Sequence, residues 1–442
     1  MGMLVIWSAY GHQIFQNRVN SISNDVRNYT LNLFNHYLIR RIISDESVLL
    51  SRELLHEYGS KDTLNFKYAC LLYLENLFVY SILQNEEHKG VDSSGVLGSS
   101  NARRLWVDAD NDPVIIFTHK KAGQILVRQL GLGVSGRYKT PMMEIGYFDK
   151  HYHYTSPRAI SLWQEAEQFI ANQSKLKKLA KNLIEHFKED LFSQRSPSPS
   201  ISFSDVPDVL RKDFASAFSS PGAVGNYARE YWISVTGLDD GASKALLQVL
   251  DNNAKLDKPK ELDPQNLIES ALKQTLSDEE RLKMTQIASL EPFLSDIMLM
   301  FTLLTAKKSR PLSEVITQWQ EFGRTEHTLP QRANLLRSDV ALNNVINGNT
   351  AGRRMKNLLQ LADTATLDDQ VTLLLEYHNN LMLKRSQMPW LTLDNAGRQV
   401  KVHVRPLQVP DTEDWPPGEW YYSYYLPQFK SLVRGFQGVV EG

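Results

Sequence analysis

The chain has 442 residues, 42% hydrophobic and 22% charged, which excludes a mainly disordered or fibrous protein. At roughly 100–200 residues per domain it has room for two or three domains. The formal net charge is −1, so no global positive field draws the whole chain to nucleic acid, and a single cysteine, Cys70, excludes a disulfide framework or a four-thiolate zinc site within it.

The opening MLVIWSAYGHQIF has neither a positive leader nor a small-residue cleavage site, so it does not read as a signal peptide. A 3–4 spacing of Val26, Tyr29, Leu33, Tyr37 and Ile39 predicts a helix over 23–43, capped by Ser23 or Asn24. A second helix follows at 64–83. Its apolar tract carries Glu75 and Asn76 near the centre and falls short of the ~20 residues a membrane span needs. A charge at mid-bilayer costs about 3 kcal/mol, so the tract reads as a buried helix of a cytoplasmic protein.

The segment 86–155 is less helical. Glycine and serine make 86–100 a loop, Val114 opens a β-branched run at 114–118, a short helix fits 122–130, a turn 131–136 and a strand 142–148. One or two helices are expected over 156–190, with Pro157 in the first turn. The run SQRSPSPSISFSD at 193–205 reads as a flexible linker. It divides an N-terminal helical domain, 1–192, from a C-terminal one, 206–442. Helices are expected there at 208–219, 242–251, 264–289, 292–307, 311–322, 352–362 and 366–386. Alternating runs at 390–393 and 399–404 flank DNAGR as a β-hairpin, and the chain closes on a short amphipathic helix. The fold class expected is mainly α, with small β insertions.

Four groups of residues carry chemical interest. Gly131, Gly133 and Gly136 match GxGxxG by letter, but a dinucleotide site needs a strand before the glycines and a helix after them, and Pro141 follows closely. No GK[ST] occurs, so a P-loop is absent. Between Asp112 and Glu144 lie Lys120, Lys121, Arg128, Arg137 and Lys139 without an acid, which suits phosphate or nucleic-acid contact as well as an ordinary solvated face. Asp149, His151 and His153 alternate, so an extended segment would point all three one way toward a divalent metal, with His119 or Glu144 as a fourth ligand. The plainer reading is a histidine-bearing surface loop. Trp415, Trp420, Tyr421, Tyr424 and Tyr425 crowd the chain end, either as a docking surface for a larger partner or packed on their own domain.

At GLGVSGRYKTPMMEIGYFD and at the ending W-x-x-x-YYLPQFKSLVRGF the chain resembles the G component of the bacterial phosphorothioation-dependent (Dnd/Dpt) DNA restriction system. That resemblance implies a non-ATPase accessory subunit without a cofactor, working beside larger ATPase or translocase-type subunits on DNA in anti-phage defence. It places no catalytic residues on this chain. The alternative from the residues themselves is a metal-dependent hydrolase using Asp149, His151 and His153, or a nuclease of unfamiliar type.

Overall fold

Many helix starts are written in the sequence as a short polar residue. Asp25, Ser51, Thr63, Ser156, Ser220, Asp263, Ser277, Asn349 and Thr366 each accept a first-turn N–H on their own side chain. Pro157, Pro221 and Pro264 then occupy the first turn, where a missing N–H costs nothing. The computed structural model describes residues 2–345, 347–394 and 398–438. It is 63% helical and 4% strand, a mainly α protein as expected.

The chain divides into two units, but not at 193–205. One unit is Gln16–Asp239 with the chain end from Pro427; the other is Met1–Phe15 with Asp240–Leu426. The serine/proline run is not a linker. Its strand Ser200–Ser202 pairs antiparallel with Val114–Ile116, and the Phe117 N–H donates to Pro199 O at 2.7 Å. Phe203 is then buried between Tyr80 and Trp106. Serines and prolines there close a two-stranded sheet inside the first unit.

The first unit is organised on helix Leu64–Gln84, which is buried along nearly its whole length, Glu75 and Asn76 included. Helices Val26–Ser44, Ser99–Asp108 and Asp208–Ala217 pack against it. In turn Val26–Ser44 carries Pro221–Thr236 and Pro157–Asn172. The segment 142–148, expected as a strand, is instead covered by helix Lys139–Ile145, which tolerates Pro141 in its first turn and ends on Gly146 at φ 113°. The expected turn at 131–136 is two single helical turns, Gln129–Leu132 and Val134–Arg137.

The second unit is organised on helix Asp278–Thr305, against which Leu4–Phe15, Gly241–Ala254, Pro264–Leu272, Leu312–Glu321 and Thr328–Ser338 pack. The sequence reading broke this helix at Pro292; the helix runs through it, and the capping Ser277 sets its start instead. The hairpin is present as Leu391–Asp394 and Gln399–Val402, joined by Ser309–Pro311 on its far edge. The turn residues 395–397 lie outside the described residues. By length and composition alone, Leu64–Gln84 and Asp278–Thr305 are apolar enough to cross a membrane, yet 94% and 78% of their apolar windows are buried inside the chain.

Candidate functional site

Each central helix carries a buried carboxylate that gathers one of the conspicuous sequence segments around itself; the second helix also buries Asp296, which pairs with Arg324 and Arg332 at 3.1 and 2.9 Å. In the first unit it is Glu75. The Ser135 N–H donates to its Oε1 at 2.6 Å and Gln129 Nε2 to its Oε2 at 3.2 Å. Gln129 Nε2 also reaches Asn76 Oδ1 at 2.9 Å, while Asn76 Nδ2 donates to Gly123 O at 2.7 Å. A side chain at Gly133 would strike Glu75 Oε2 and the Gln129 carbonyl, and one at Gly136 would meet the Gly131 backbone at 2.5 Å. Gly133 is therefore required by close approach to a protein carboxylate and Gly136 by close approach to the Gly131 backbone, whereas Gly131 itself faces open space. Burial raises the Glu75 pKa, against the lowering effect of the Ser135 and Gln129 hydrogen bonds.

In the second unit it is Glu291. Trp7 Nε1 and the Tyr424 hydroxyl each donate to Oε2 at 2.6 Å, and the Tyr421 and Tyr422 N–H groups donate to Oε1 at 2.9 and 2.7 Å. Trp7 stacks on Tyr422 with centroids 5.0 Å apart, and Tyr421 on Trp415 at 5.3 Å. Trp415 Nε1 closes on Ser295 Oγ at 2.8 Å. Burial pushes the Glu291 carboxyl up to about 7 in spite of its four donors.

This corrects the docking reading of the aromatic end. Trp415 and Tyr424 are buried, Tyr425 meets Ser8 Oγ at 3.1 Å, and Trp420 sets its edge on Tyr424. Trp415 and Tyr424 belong to the second unit's own core, because a carboxylate inside an apolar helix needs donors and this segment supplies them, while Trp420 and Tyr425 are half-buried. Of the five, Tyr421 is exposed, at 48%.

The metal reading also fails on geometry. Asp149 turns its carboxylate inward on its own loop: Oδ1 accepts the His151 and His153 N–H groups at 2.8 and 3.0 Å, and Oδ2 pairs with His153 Nδ1 at 2.8 Å. The segment is a turn with Tyr152 at φ 58°, not a strand, so alternation does not align the three side chains. Among the described residues no group of three or more His, Cys, Asp or Glu is arranged to hold a metal ion.

The basic interval is put to several uses. Lys120 pairs with Glu57 at 2.7 Å. Lys139 donates to the Lys150 carbonyl at 2.7 Å and lies over the Tyr152 ring at 4.2 Å. Lys121 and Arg128 are exposed, and Arg128 is held at φ 56°. Arg137 lines a cleft of about 270 Å³ in the first unit, together with Asp25, Asn28, Asp92, Tyr138 and Arg434.

Two polar arrangements escaped the sequence reading. Tyr73 O–H, His186 and Asp190 form a chain with both links at 2.6 Å, Tyr73 to Nε2 and Asp190 to Nδ1. Tyr73 is wholly buried at one end of this chain, while at the other end His186 and the partly exposed Asp190 line a cleft of about 250 Å³ beside the π-helical turn Phe187–Leu191. The other is a row of asparagines on helix Val26–Ser44. Asn28, Asn32 and Asn35 are buried at i, i+4 and i+7, and the Asn28 Oδ1 and both amide atoms of Asn32 and Asn35 have no hydrogen-bond partner. That spacing was legible in the sequence, but polar residues at helical period suggest a solvated face.

Compared with family models, with curated proteins and with solved structures, the chain matches none.

Proposed function

We propose that the chain is a non-ATPase accessory subunit of a bacterial DNA-restriction complex, a cytoplasmic scaffold that works beside a larger ATPase or translocase-type subunit and touches DNA through exposed cations such as Lys121 and Arg128. One observation supports this reading above others. The two segments that carry the family resemblance are the two that clasp Glu75 and Glu291, so the likeness falls on residues that build both units. A protein sharing those segments would share the interior that makes them necessary. The hydrolase alternative has lost its metal geometry and is not carried further.

The test is co-expression of the full chain with the products of neighbouring reading frames, followed by affinity purification. The reading expects an ATPase to co-purify and the chain alone to leave ATP intact. ATP turnover by the isolated chain, or recovery of the chain without any partner, would refute it. DNA binding by the isolated chain should be independent of sequence and fall steeply with salt.

A further inference from the structure

Helices Thr350–Leu358 and Leu367–Leu383 of the second unit border a cleft of about 270 Å³ that no carboxylate lines. The first helix contributes Arg353, Arg354 and Asn357, the second Tyr377, Asn380 and Leu381, and Lys384 and Arg385 join from just past its end. Four cations therefore gather on one cleft, and none of them forms an ion pair among the described residues. Arg353 donates to Thr350 Oγ1 at 2.9 Å and Arg354 to the Gly2 carbonyl, while Lys384 and Arg385 make no side-chain hydrogen bond among the described residues. The acids close by in sequence are engaged elsewhere. Asp363 pairs with Arg337 at 2.8 Å, Asp368 pairs with Arg398, and Asp369 serves the cap of its own helix; Glu376 does not line the cleft. Burial pushes the Tyr377 hydroxyl up to about 12, and Arg354 and Arg385 pull it back, so guanidiniums from both walls act on one point.

Helix dipoles account for only half of this charge. Lys384 and Arg385 follow the last turn of helix Leu367–Leu383, whose partial negative charge favours cations. Arg353 and Arg354 stand just past the first turn of helix Thr350–Leu358, whose partial positive charge favours an anion. Two guanidiniums there work against their own helix, and an anion seated among the four cations would answer both. The cations are exposed or half-buried, whereas Tyr377 and Leu381 are 6% and 9% exposed. The cleft thus offers charge to a polyanion, with no ring on which a base could stack and no open apolar wall for an acyl chain.

We infer that this cleft holds the phosphodiester backbone of DNA without reading its sequence. The inference rests on the DNA contact in the reading above, and adds a site on the second unit to Lys121 and Arg128 of the first.

Fluorescence anisotropy of the full chain with a short labelled DNA duplex of mixed sequence, over a range of salt, tests it. Lys384→Gln/Arg385→Gln should weaken binding at low salt about tenfold or more, with the melting curve unchanged. It should also make the slope of log affinity against log salt shallower by about 2, since each lost phosphate contact removes about 0.9. Arg353→Gln should make the slope shallower by about 1 more. Affinity and slope unmoved by the double variant would overturn the cleft alone, and the first unit would keep the DNA contact if Lys121→Gln/Arg128→Gln then abolished binding. No binding of the duplex at low salt would overturn the DNA contact itself. Tripolyphosphate binding lost in the double variant while DNA binding persists would also overturn the inference, because the cleft would then serve a free polyphosphate.

Discussion

Glu75 and Glu291 solve the same problem with different materials. Both sit in the middle of a long apolar helix, and both are buried. Glu75 is met by donors 54 and 60 residues along the chain, a glutamine and a backbone N–H brought close by glycines. Glu291 is met by donors 130 to 133 residues on and by Trp7, 284 residues back, and most of what surrounds it is aromatic. The first clasp depends on absent side chains, the second on large ones. A buried charge thus fixes which segment lies over a featureless apolar helix, and the chemistry of that segment follows from how the donors are delivered.

The largest effect should come from emptying the aromatic clasp. Glu291→Ala leaves an indole N–H, a phenol and two backbone N–H groups without their acceptor, and should cost on the order of 4 kcal/mol in denaturant unfolding of the full chain. Next comes the glycine clasp. Gly133→Ala adds a methyl where Glu75 Oε2 and the Gln129 carbonyl already sit, and should cost about 2–3 kcal/mol. Gly131→Ala meets nothing within 4 Å and should cost under about 1 kcal/mol, although both positions belong to the same letter motif.

The pH response probes the aromatic clasp by another route. The Glu291 pKa is raised from 4.5 to about 7, so its protonated form is the one favoured by folding. Its contribution is complete below about pH 4.5 and is lost as pH rises through 7. Unfolding free energy of the native chain, less that of Glu291→Gln, should therefore fall between those values by up to about 1.4 kcal/mol per pH unit. A difference that stays level across the window would show that the donors, not burial, set the protonation of this group.

How much of this was legible in advance depends on the range of the forces involved. Caps and hairpins act within a few residues, so Pro157 and the strands around DNAGR were readable. Ser220-Pro221 carries the same signal as Ser156-Pro157, and its helix could have been found the same way. Glu75 was seen to be buried, but its partner was not, because nothing local ties Ser135 to it. The aromatic end looked like a docking surface for the same reason: the acceptor that requires it lies more than a hundred residues upstream. The unit boundary was out of reach as well. Each unit is assembled from segments distant in sequence, so no linker marks it. The asparagine row of helix Val26–Ser44 reads as solvated until the neighbouring helices are in place.

A double-mutant cycle on Glu291 and Tyr424, read by equilibrium unfolding, tests the central claim most directly. Tyr424→Phe removes a single hydroxyl and should cost about 1–2 kcal/mol in the native background. In the Glu291→Ala background the same change should cost close to nothing, and in a Glu75→Ala background it should cost its full native amount, since Glu75 belongs to the other clasp. An equal cost of Tyr424→Phe in all three backgrounds would contradict the account: the aromatic segment would then be held by packing alone, and Glu291 would not be what it is built around.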